Sequence, residues 1–229
     1  MTEFGSEASM AAPVEAWLRE SGGSCVGHEV AVGYGIPDLV AGFGAVARVR
    51  NRRRQAHPIT RRLQLAVLVY CETVRTEDEL RAWAPNGYSS LRREAIDPLV
   101  SDGLMVVAGQ RFRTRVSPKD PFDKIVAVEL KLRDHGRGFA QAFAYRTFAD
   151  RSYLALPTSR VRAPMLGRAR EIGVGLLAVS PDSVDELVEP SMNSLVTPGR
   201  RRMASELVLE AAIDSNRPRA GSPSPSLAF

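Results

Sequence analysis

Two charged residues interrupt an apolar segment near the middle of the chain. Residues 125–132 read IVAVELKL, and this run of branched apolar side chains predicts a β-strand. Side chains alternate between the two faces of a strand, so Glu129 and Lys131 should be neighbours on one face. A carboxylate beside an ammonium group suits metal-assisted hydrolysis, in which one group ligates the cation and the other positions or activates a water. The structural alternative is a charge pair on an edge strand.

The choice of lysine favours the chemical interpretation. Of the 31 basic residues only Lys119, Lys124 and Lys131 are lysine, and all the others are arginine. Burial can tune the proton affinity of lysine but not that of arginine, and catalytic sites use this property. A lysine within a predicted strand of such an arginine-rich chain therefore points to function rather than to surface charge.

A second acidic candidate lies upstream, in a predicted β-hairpin. Residues 24–32 and 36–43 each have strand character, and Tyr34-Gly35 is typical of the turn between them. Asp38 falls inside the second predicted strand, where aspartate is uncommon. It is either a turn-adjacent residue after Pro37 or an oxygen ligand for a hard cation.

The remaining pattern predicts an α/β domain. Residues 13–20 should form an amphipathic helix that carries Glu15, and a helix over 139–150 should follow the central strand. Gln141 and Tyr145 are four residues apart and so should share one face of that second helix. A strand over 151–156, a helix over 163–172 and a buried strand over 174–180 complete the series.

The middle of the chain has a different character and carries the basic charge. Between residues 48 and 116 there are 14 arginines against 7 acidic residues, which suggests a polyanionic partner. The pattern predicts a helix over 60–70, a second helix capped by Thr76 and Glu79, and a third that begins at Ser89 or Ser90. Two short strands about Gly109-Gln110 follow. The arginine-dense stretch 47–57 is predicted to be a solvated connector, with phosphate contact as the alternative.

This middle segment resembles a winged helix-turn-helix domain. In that family the third helix enters the major groove of DNA and the hairpin wing touches the backbone. The resemblance implies contact with duplex DNA through residues of the third helix and the wing, namely Ser89, Ser90, Arg92, Arg93, Arg111, Arg113 and Arg115. Winged helices also dock proteins, so an adaptor role is an alternative.

The segments on either side resemble the PD-(D/E)xK nuclease superfamily, whose fold is called restriction-endonuclease-like. Pro37-Asp38 matches the PD half of its motif, and 129–131 (ELK) matches the ExK half on the next core strand. Gln141 and Tyr145 match the QxxxY motif of the RecB-like branch, and Glu15 stands where some members have a glutamate on the first helix. The connection between the two half-motifs is far longer than usual, and the inserted winged-helix module would account for it.

The resemblance implies a central mixed sheet flanked by helices, and a magnesium-dependent or manganese-dependent deoxyribonuclease. Asp38 and Glu129, assisted by Glu15, would hold Mg²⁺ or Mn²⁺, and Lys131 would position the attacking water or stabilise developing charge. Gln141 and Tyr145 would orient the substrate strand or the backbone of the ExK motif. Four segments follow from this: a first part of the core (1–50), the inserted domain (51–118), a second part of the core (119–187) and a largely disordered tail (188–229), with a weak helical run around 205–212.

Other features limit the function classes. No apolar run approaches the length needed to cross a bilayer, and Cys25 and Cys71 form no zinc-like grouping with the three histidines, so we expect a cytoplasmic protein without structural zinc. A homodimer, or a partner subunit in a defence, repair or mobile-element system, fits the nuclease hypothesis. The main alternative is a non-enzymatic DNA-binding regulator built on a degenerate nuclease-like scaffold.

Overall fold

The computed structural model describes residues 4–32, 35–84, 86–115, 119–191 and 193–214. The strands are β1 (Gly23–His28), β2 (Leu39–Phe43), β3 (Arg75–Thr76), β4 (Met105–Ala108), β5 (Arg111–Thr114), β6 (Lys124–Leu130), β7 (Arg151–Pro157), β8 (Gly175–Val179) and β9 (Val184–Val188). The α-helices are α1 (Ala11–Glu20), α2 (Val46–Gln55), α3 (Arg62–Tyr70), α4 (Glu77–Trp83), α5 (Tyr88–Leu91), α6 (Asp97–Ser101), α7 (His135–Tyr145), α8 (Ala163–Ile172) and α9 (Pro198–Asp214).

Six strands form one mixed sheet at the centre of the molecule. Their order is β1-β2-β6-β7-β8-β9; β6, β7 and β8 are parallel to one another, and the other pairs are antiparallel. Helices cover both faces, which is why the middle strands are almost continuously apolar rather than alternating. The predicted α/β class, with a mixed central sheet flanked by helices, is confirmed.

The alternation predicted for the central strand is also confirmed. Ile125 and Ala127 of β6 pack on the face that also contacts Tyr145 of α7, and Val208 of α9 lies in the same cluster. Val126, Val128 and Leu130 point to the opposite face, where residues of α1 pack. Glu129 therefore belongs to the side of the sheet that α7 and α9 cover.

A second sheet lies within the chain segment that separates β2 from β6. Its strand order is β3-β5-β4, and a separate apolar cluster links it to α3, α4 and the helical stretch 88–101. The predicted capping box is present, since Thr76 and Glu79 cap α4 reciprocally. The stretch 88–101 widens into a π-helical turn, Arg92–Ile96, just before Pro98, whose ring cannot continue ordinary helical hydrogen bonding.

The arginine-dense connector predicted over 47–57 is wrong for most of its length. This stretch forms helix α2, and Val49 and Arg52 are buried within the fold. The hydropathy pattern misses the helix because one of its inward-facing positions is an arginine. The second strand of the hairpin is also shorter than expected, since β2 begins at Leu39 and Asp38 lies just before it. Tyr34, assigned to the turn, lies outside the described residues.

The C-terminal helix is longer than the sequence indicates. The expected weak run around 205–212 extends over α9, and Val208 and Leu209 are fully buried against the central sheet. Residues 198–214 are thus part of the core rather than of a disordered tail. The Pro/Ser-rich end of the chain, 215–229, lies outside the described residues.

A buried ion pair joins α2 to α9. Arg52 and Glu206 are 2% and 0% exposed, and the Arg52 guanidinium donates to the Glu206 carboxylate. The backbone carbonyls of Ala56 and His57 accept the other guanidinium hydrogens at 2.8 and 3.2 Å, and the Ile59 amide donates to Glu206 Oε2 at 3.0 Å. This network fixes the point where the chain leaves the central domain for the second sheet. A buried pair is tolerable only when its hydrogen bonds are satisfied in this way.

Replacement of Glu206 by glutamine should destabilise the protein strongly, because it leaves the Arg52 charge buried without a counter-ion. We expect the free energy of unfolding to fall by about 3–5 kcal/mol in urea titrations followed by circular dichroism. The matched control is Asp123→Asn, which removes the partner of Arg48 on the same helix but at an exposed position. That change should cost less than about 1 kcal/mol. Equal effects of the two substitutions would contradict this account.

Candidate functional site

The pairing of β2 with β6 places Asp38 opposite Glu129. Leu39 pairs with Val128 and Val40 with Ala127 in an antiparallel register, which one further step extends to residues 38 and 129. Directly opposed residues of antiparallel strands project from the same face. The two acidic residues of the separate half-motifs are therefore neighbours, as the sequence predicted, although Asp38 stands at the entrance of its strand and not within it.

Asp38 is held by a backbone hydrogen bond and is partly withdrawn from water. Its Oδ2 accepts from the Leu130 amide at 2.7 Å. Burial raises the pKa of the Asp38 carboxyl, and the charge of Glu129 acts in the same direction; the Leu130 hydrogen bond and Lys131 oppose the shift without cancelling it. A carboxylate in this state gains more than usual from a nearby cation.

Glu129 is almost completely buried, and both of its oxygens are occupied. Oε1 lies 2.6 Å from Lys131 Nζ, and Oε2 accepts from the Tyr145 hydroxyl at 2.5 Å. Partial burial works against the charged form of Lys131. The hydrogen bond and the charge of Glu129 nevertheless raise the pKa of Lys131, so this side chain remains an ammonium ion. Burial and the contact with Glu129 likewise raise the pKa of Tyr145, which stays a neutral donor. Each carboxylate oxygen retains a further lone pair for another ligand.

The start of α7 holds Lys131 in place. The residue before the helix, Asp134, has a left-handed backbone (φ 38°) and caps α7 by accepting from the Arg137 amide at 3.2 Å. Gly138 then faces the sheet, and a β-carbon there would lie 2.9 Å from Cγ of Lys131 and 2.7 Å from a methyl group of Leu154. Glycine at this position gives the lysine stem its space.

Gln141 lies beside the same hydroxyl, as the QxxxY spacing predicted. Its side chain interacts with the Tyr145 hydroxyl. Its own Oε1 is buried and has no hydrogen-bond partner among the described residues. An unpaired buried acceptor is costly, and it is commonly satisfied by water or a ligand. This amide oxygen can therefore accept a hydrogen bond from a water or a ligand next to the charged cluster.

Glu7 is a member of this group that the sequence pattern did not reveal. It lies in the 3₁₀ turn Glu7–Met10, where Oε2 is 3.5 Å from Lys131 Nζ and Oε1 accepts from the Leu132 amide at 3.1 Å. Ser6 and Ser9 form a capping box around that turn, and the spacing of these two serines was the available signal. Lys131 is thereby held between two carboxylates.

Glu15 is not brought to this cluster. One of its oxygens is 2.7 Å from Arg19 Nη2 and the other 2.7 Å from His28 Nε2. Burial opposes ionisation, but the hydrogen bonds from Arg19 and His28 keep the pKa of Glu15 below its usual range. The contacts that place Asp38, Glu129, Lys131 and Glu7 together do not involve it, so the predicted assistance of Glu15 as a metal ligand finds no support in this geometry.

The two carboxylates suit a hard cation that takes only a few of its ligands from the protein. Within the described residues there is no group of three or more His, Cys, Asp or Glu side chains arranged to share a metal ion. Mg²⁺, however, is often held by one or two carboxylates together with waters and substrate phosphates. Asp38 and Glu129 supply two such carboxylates side by side, and oxygen donors of this kind suit Mg²⁺ or Mn²⁺ rather than zinc.

The residues predicted to contact DNA lie apart from the acidic cluster, in the segment that carries the second sheet. Arg111 and Arg113 project from the exposed side of β5, where they alternate with the buried Phe112 and Thr114. No ion pair involves Arg111, Arg113 or Arg115 within the described part of the chain.

The arginines of the predicted recognition helix have carboxylate partners, whereas those of the predicted wing have none in the described part of the chain. Arg92 and Arg93 are exposed, but they lie 3.3 Å from Asp97 and 3.0 Å from Glu94 respectively. Ser89 is exposed and Ser90 half-buried in the first turn of the same helical stretch. Among the residues predicted to contact DNA, the arginines without an ion-pair partner in the described part of the chain are therefore those on and after β5.

Comparison with known proteins does not identify the chain. No family model matches it, and no curated protein matches it. A solved structure, a protein of unknown function from Silicibacter pomeroyi, aligns with 20% identity and a TM-score of 0.30 over 40% of this chain and 57% of that one. No helix among the described residues has the length and apolar content of a membrane span.

Asp38→Asn should stabilise the protein at neutral pH in the presence of a chelator. The folded state raises the pKa of Asp38, so ionisation costs stability above the folded pKa and costs nothing below the unfolded value. Asparagine removes the charge and can still accept from the Leu130 amide. Thermal unfolding measured against pH should show a higher midpoint for the variant at pH 7 and convergence with wild type as the pH falls towards about 4.

The control for this measurement is Asp182→Asn, an exposed acid near the loop between β8 and β9. It should leave the midpoint unchanged at every pH. Loss of stability in Asp38→Asn by the same amount at neutral and acidic pH would mean that Asp38 serves only as a structural hydrogen-bond acceptor.

Proposed function

We propose that this chain is a metal-dependent nuclease that hydrolyses phosphodiester bonds of DNA. The observation that carries the proposal is the juxtaposition of Asp38 and Glu129 on adjacent strands, with the Lys131 ammonium 2.6 Å from the second carboxylate. Two acids and a lysine that converge from a hairpin and the next strand are what the PD-(D/E)xK motif requires. The restriction-endonuclease-like assignment of the central domain is part of this proposal.

Each residue of the cluster would have a distinct task. Asp38 and Glu129 would hold Mg²⁺ or Mn²⁺, which when bound supplies a Lewis acid for the phosphoryl oxygen and favours ionisation of a water. Lys131 would orient the attacking water and stabilise negative charge on the phosphate oxygens as they develop it. Tyr145 holds the Glu129 carboxylate in place by donating to it. The Gln141 Oε1, which has no partner among the described residues, would accept from the substrate strand or from a bound water.

One observation favours the binding-only alternative. Glu129 already has a counter-ion in Lys131 and a donor in Tyr145, so the cluster is electrostatically satisfied without a cation. In a DNA-binding regulator the same contacts would serve only to hold β6 against α7. Asp38 differs from Glu129, because burial raises its pKa and no ion pair involves it within the described residues.

The second sheet and its helices would bind duplex DNA as a winged-helix module. Their support is the row of exposed arginines on β5 and after it, Arg111, Arg113 and Arg115, with exposed Arg92 and Arg93 at the helical turn. The wing arginines have no ion-pair partner in the described part of the chain, so they should make more of the phosphate contacts than Arg92 and Arg93. Such contacts position a protein on DNA without reading its sequence.

Purified protein should cleave supercoiled plasmid or linear duplex DNA with Mg²⁺ or Mn²⁺ and should be inactive with EDTA. Asp38→Ala and Lys131→Ala should each lower the cleavage rate by about 10²-fold or more, because each removes a group that acts on the reacting phosphate. Glu15→Gln should retain cleavage, since its carboxylate is committed to Arg19 and His28. Products are measured on gels over time.

Duplex binding by the same preparations, followed by fluorescence anisotropy in EDTA, separates the two functions. Binding by wild type without cleavage under any metal condition would favour the regulator. Cleavage that survives in both Asp38→Ala and Lys131→Ala would dismiss this site altogether.

A further inference from the structure

Some arginines of helix α2 pair with a carboxylate, and others do not within the described part of the chain. Arg48 pairs with Asp123, and Arg52 is buried against Glu206. Arg50 and Arg53 are three residues apart and so face one direction. Both are exposed, and neither pairs with a carboxylate within the described part of the chain. Within this arginine run, which the sequence assigned to solvent or to phosphate contact, Arg50 and Arg53 thus present two guanidinium groups in one direction.

These two arginines line a cavity of about 290 Å³ between α1, β1 and α2. Arg19, at the end of α1, contributes a third guanidinium, and Ser24 and Cys25 of β1 line the same space with several apolar side chains. No acidic residue is among the described residues that line it. Arg19 is the only one of the three that has a carboxylate partner among the described residues, namely Glu15. The cavity therefore has a net positive lining.

The cysteine at this cavity adds no negative charge. Burial raises the pKa of the Cys25 thiol, although Arg53 and Arg19 lie near enough to oppose the shift. Three guanidinium groups gathered round a cavity repel one another, although water and salt screen part of this repulsion because the side chains are exposed. An anion bound among them would relieve it.

We propose that this cavity is a binding site for a phosphate group. The planar guanidinium fork of arginine matches two oxygens of a phosphate, and three forks at one cavity can surround its oxygens. The volume is close to the lower limit of about 300 Å³ for small-molecule pockets, which fits one or two phosphate groups better than a large apolar ligand. The Ser24 hydroxyl also lines the cavity, but it donates its hydrogen to the Gly42 carbonyl at 3.0 Å, so the arginines are the donors that would bind the phosphate.

The phosphate could belong to a nucleic-acid backbone or to a small phosphorylated molecule. Cys25 pairs with Gly42, three residues along β2 from Leu39, so the cavity lies roughly 10 Å along the sheet from the end that carries Asp38. It is therefore separate from the acidic cluster. The assignment does not rest on hydrolysis there and holds whether or not the chain cleaves DNA.

Calorimetric titration in EDTA with pyrophosphate, and separately with a short DNA duplex, tests this assignment. The chelator excludes cation-mediated binding at Asp38 and Glu129. The double substitution Arg50→Gln with Arg53→Gln should weaken binding at least about tenfold, because each lost arginine removes charge-assisted hydrogen bonds. Arg54→Gln, an exposed arginine on the same helix that does not line the cavity, is the matched control and should bind as wild type does.

The two titrations also identify the source of the phosphate. Weakened pyrophosphate binding in the double variant assigns the cavity to small phosphorylated ligands, and weakened duplex binding alone assigns it to the DNA backbone. Arg50→Gln by itself, which leaves the contact between Arg53 and Cys25 intact, gives the same direction should the double variant fold poorly. Unchanged affinity for both ligands in these variants, or equal loss in Arg54→Gln, would overturn the proposal.

Discussion

The antiparallel register between β2 and β6 is the constraint on which the candidate site depends. It sets Asp38 opposite Glu129 and brings the Leu130 amide within 2.7 Å of the Asp38 carboxylate. At the other end of the same pair, Phe43 lies opposite Lys124, so the chain leaves the sheet and returns to it at adjacent points. The whole segment with the second sheet is therefore inserted at the end of the hairpin away from the acidic residues. A shift of one residue in this register would send one carboxylate to the other face.

The free-energy cost of burying charged side chains at this site is offset by the contacts that they make with one another. Glu129 is 2% exposed, and burial of an unpaired carboxylate would be prohibitive. Lys131 neutralises it and Tyr145 donates a hydrogen bond to it, and Glu7 is a second carboxylate beside Lys131, 3.5 Å from its Nζ. Asp38 is the member with the poorest compensation, which is why its pKa is raised rather than lowered. Among these residues Asp38 would therefore be stabilised most by an added cation. Functional groups often lower the stability of the folded protein in this way.

The sequence predicted those parts of the fold in which local pattern and tertiary environment agree. Alternation along 125–131 placed Glu129 correctly, and the four-residue spacing of Gln141 and Tyr145 placed both beside it. The sequence pattern failed where the environment of a residue depends on a partner far away in the sequence. Residues 47–57 were predicted to be a connector because an arginine such as Arg52 is usually exposed. The buried counter-ion of Arg52, Glu206, is far away in the sequence. Glu15 and Glu7 are both acids near the N-terminus, and only the packing of the 3₁₀ turn against Leu132 shows that Glu7 is the one near the lysine.

The central claim is that Asp38 and Glu129 bind one divalent cation between them, and anomalous diffraction from crystals soaked in Mn²⁺ tests it most directly. The account predicts one anomalous peak about 2.0–2.3 Å from a carboxylate oxygen of each residue, the distance expected for hard cations with oxygen ligands. Crystals of Asp38→Asn should lose that peak. A Mn²⁺ ion bound elsewhere, or no peak at this pair of carboxylates while Lys131 keeps its contact with Glu129, would contradict the account.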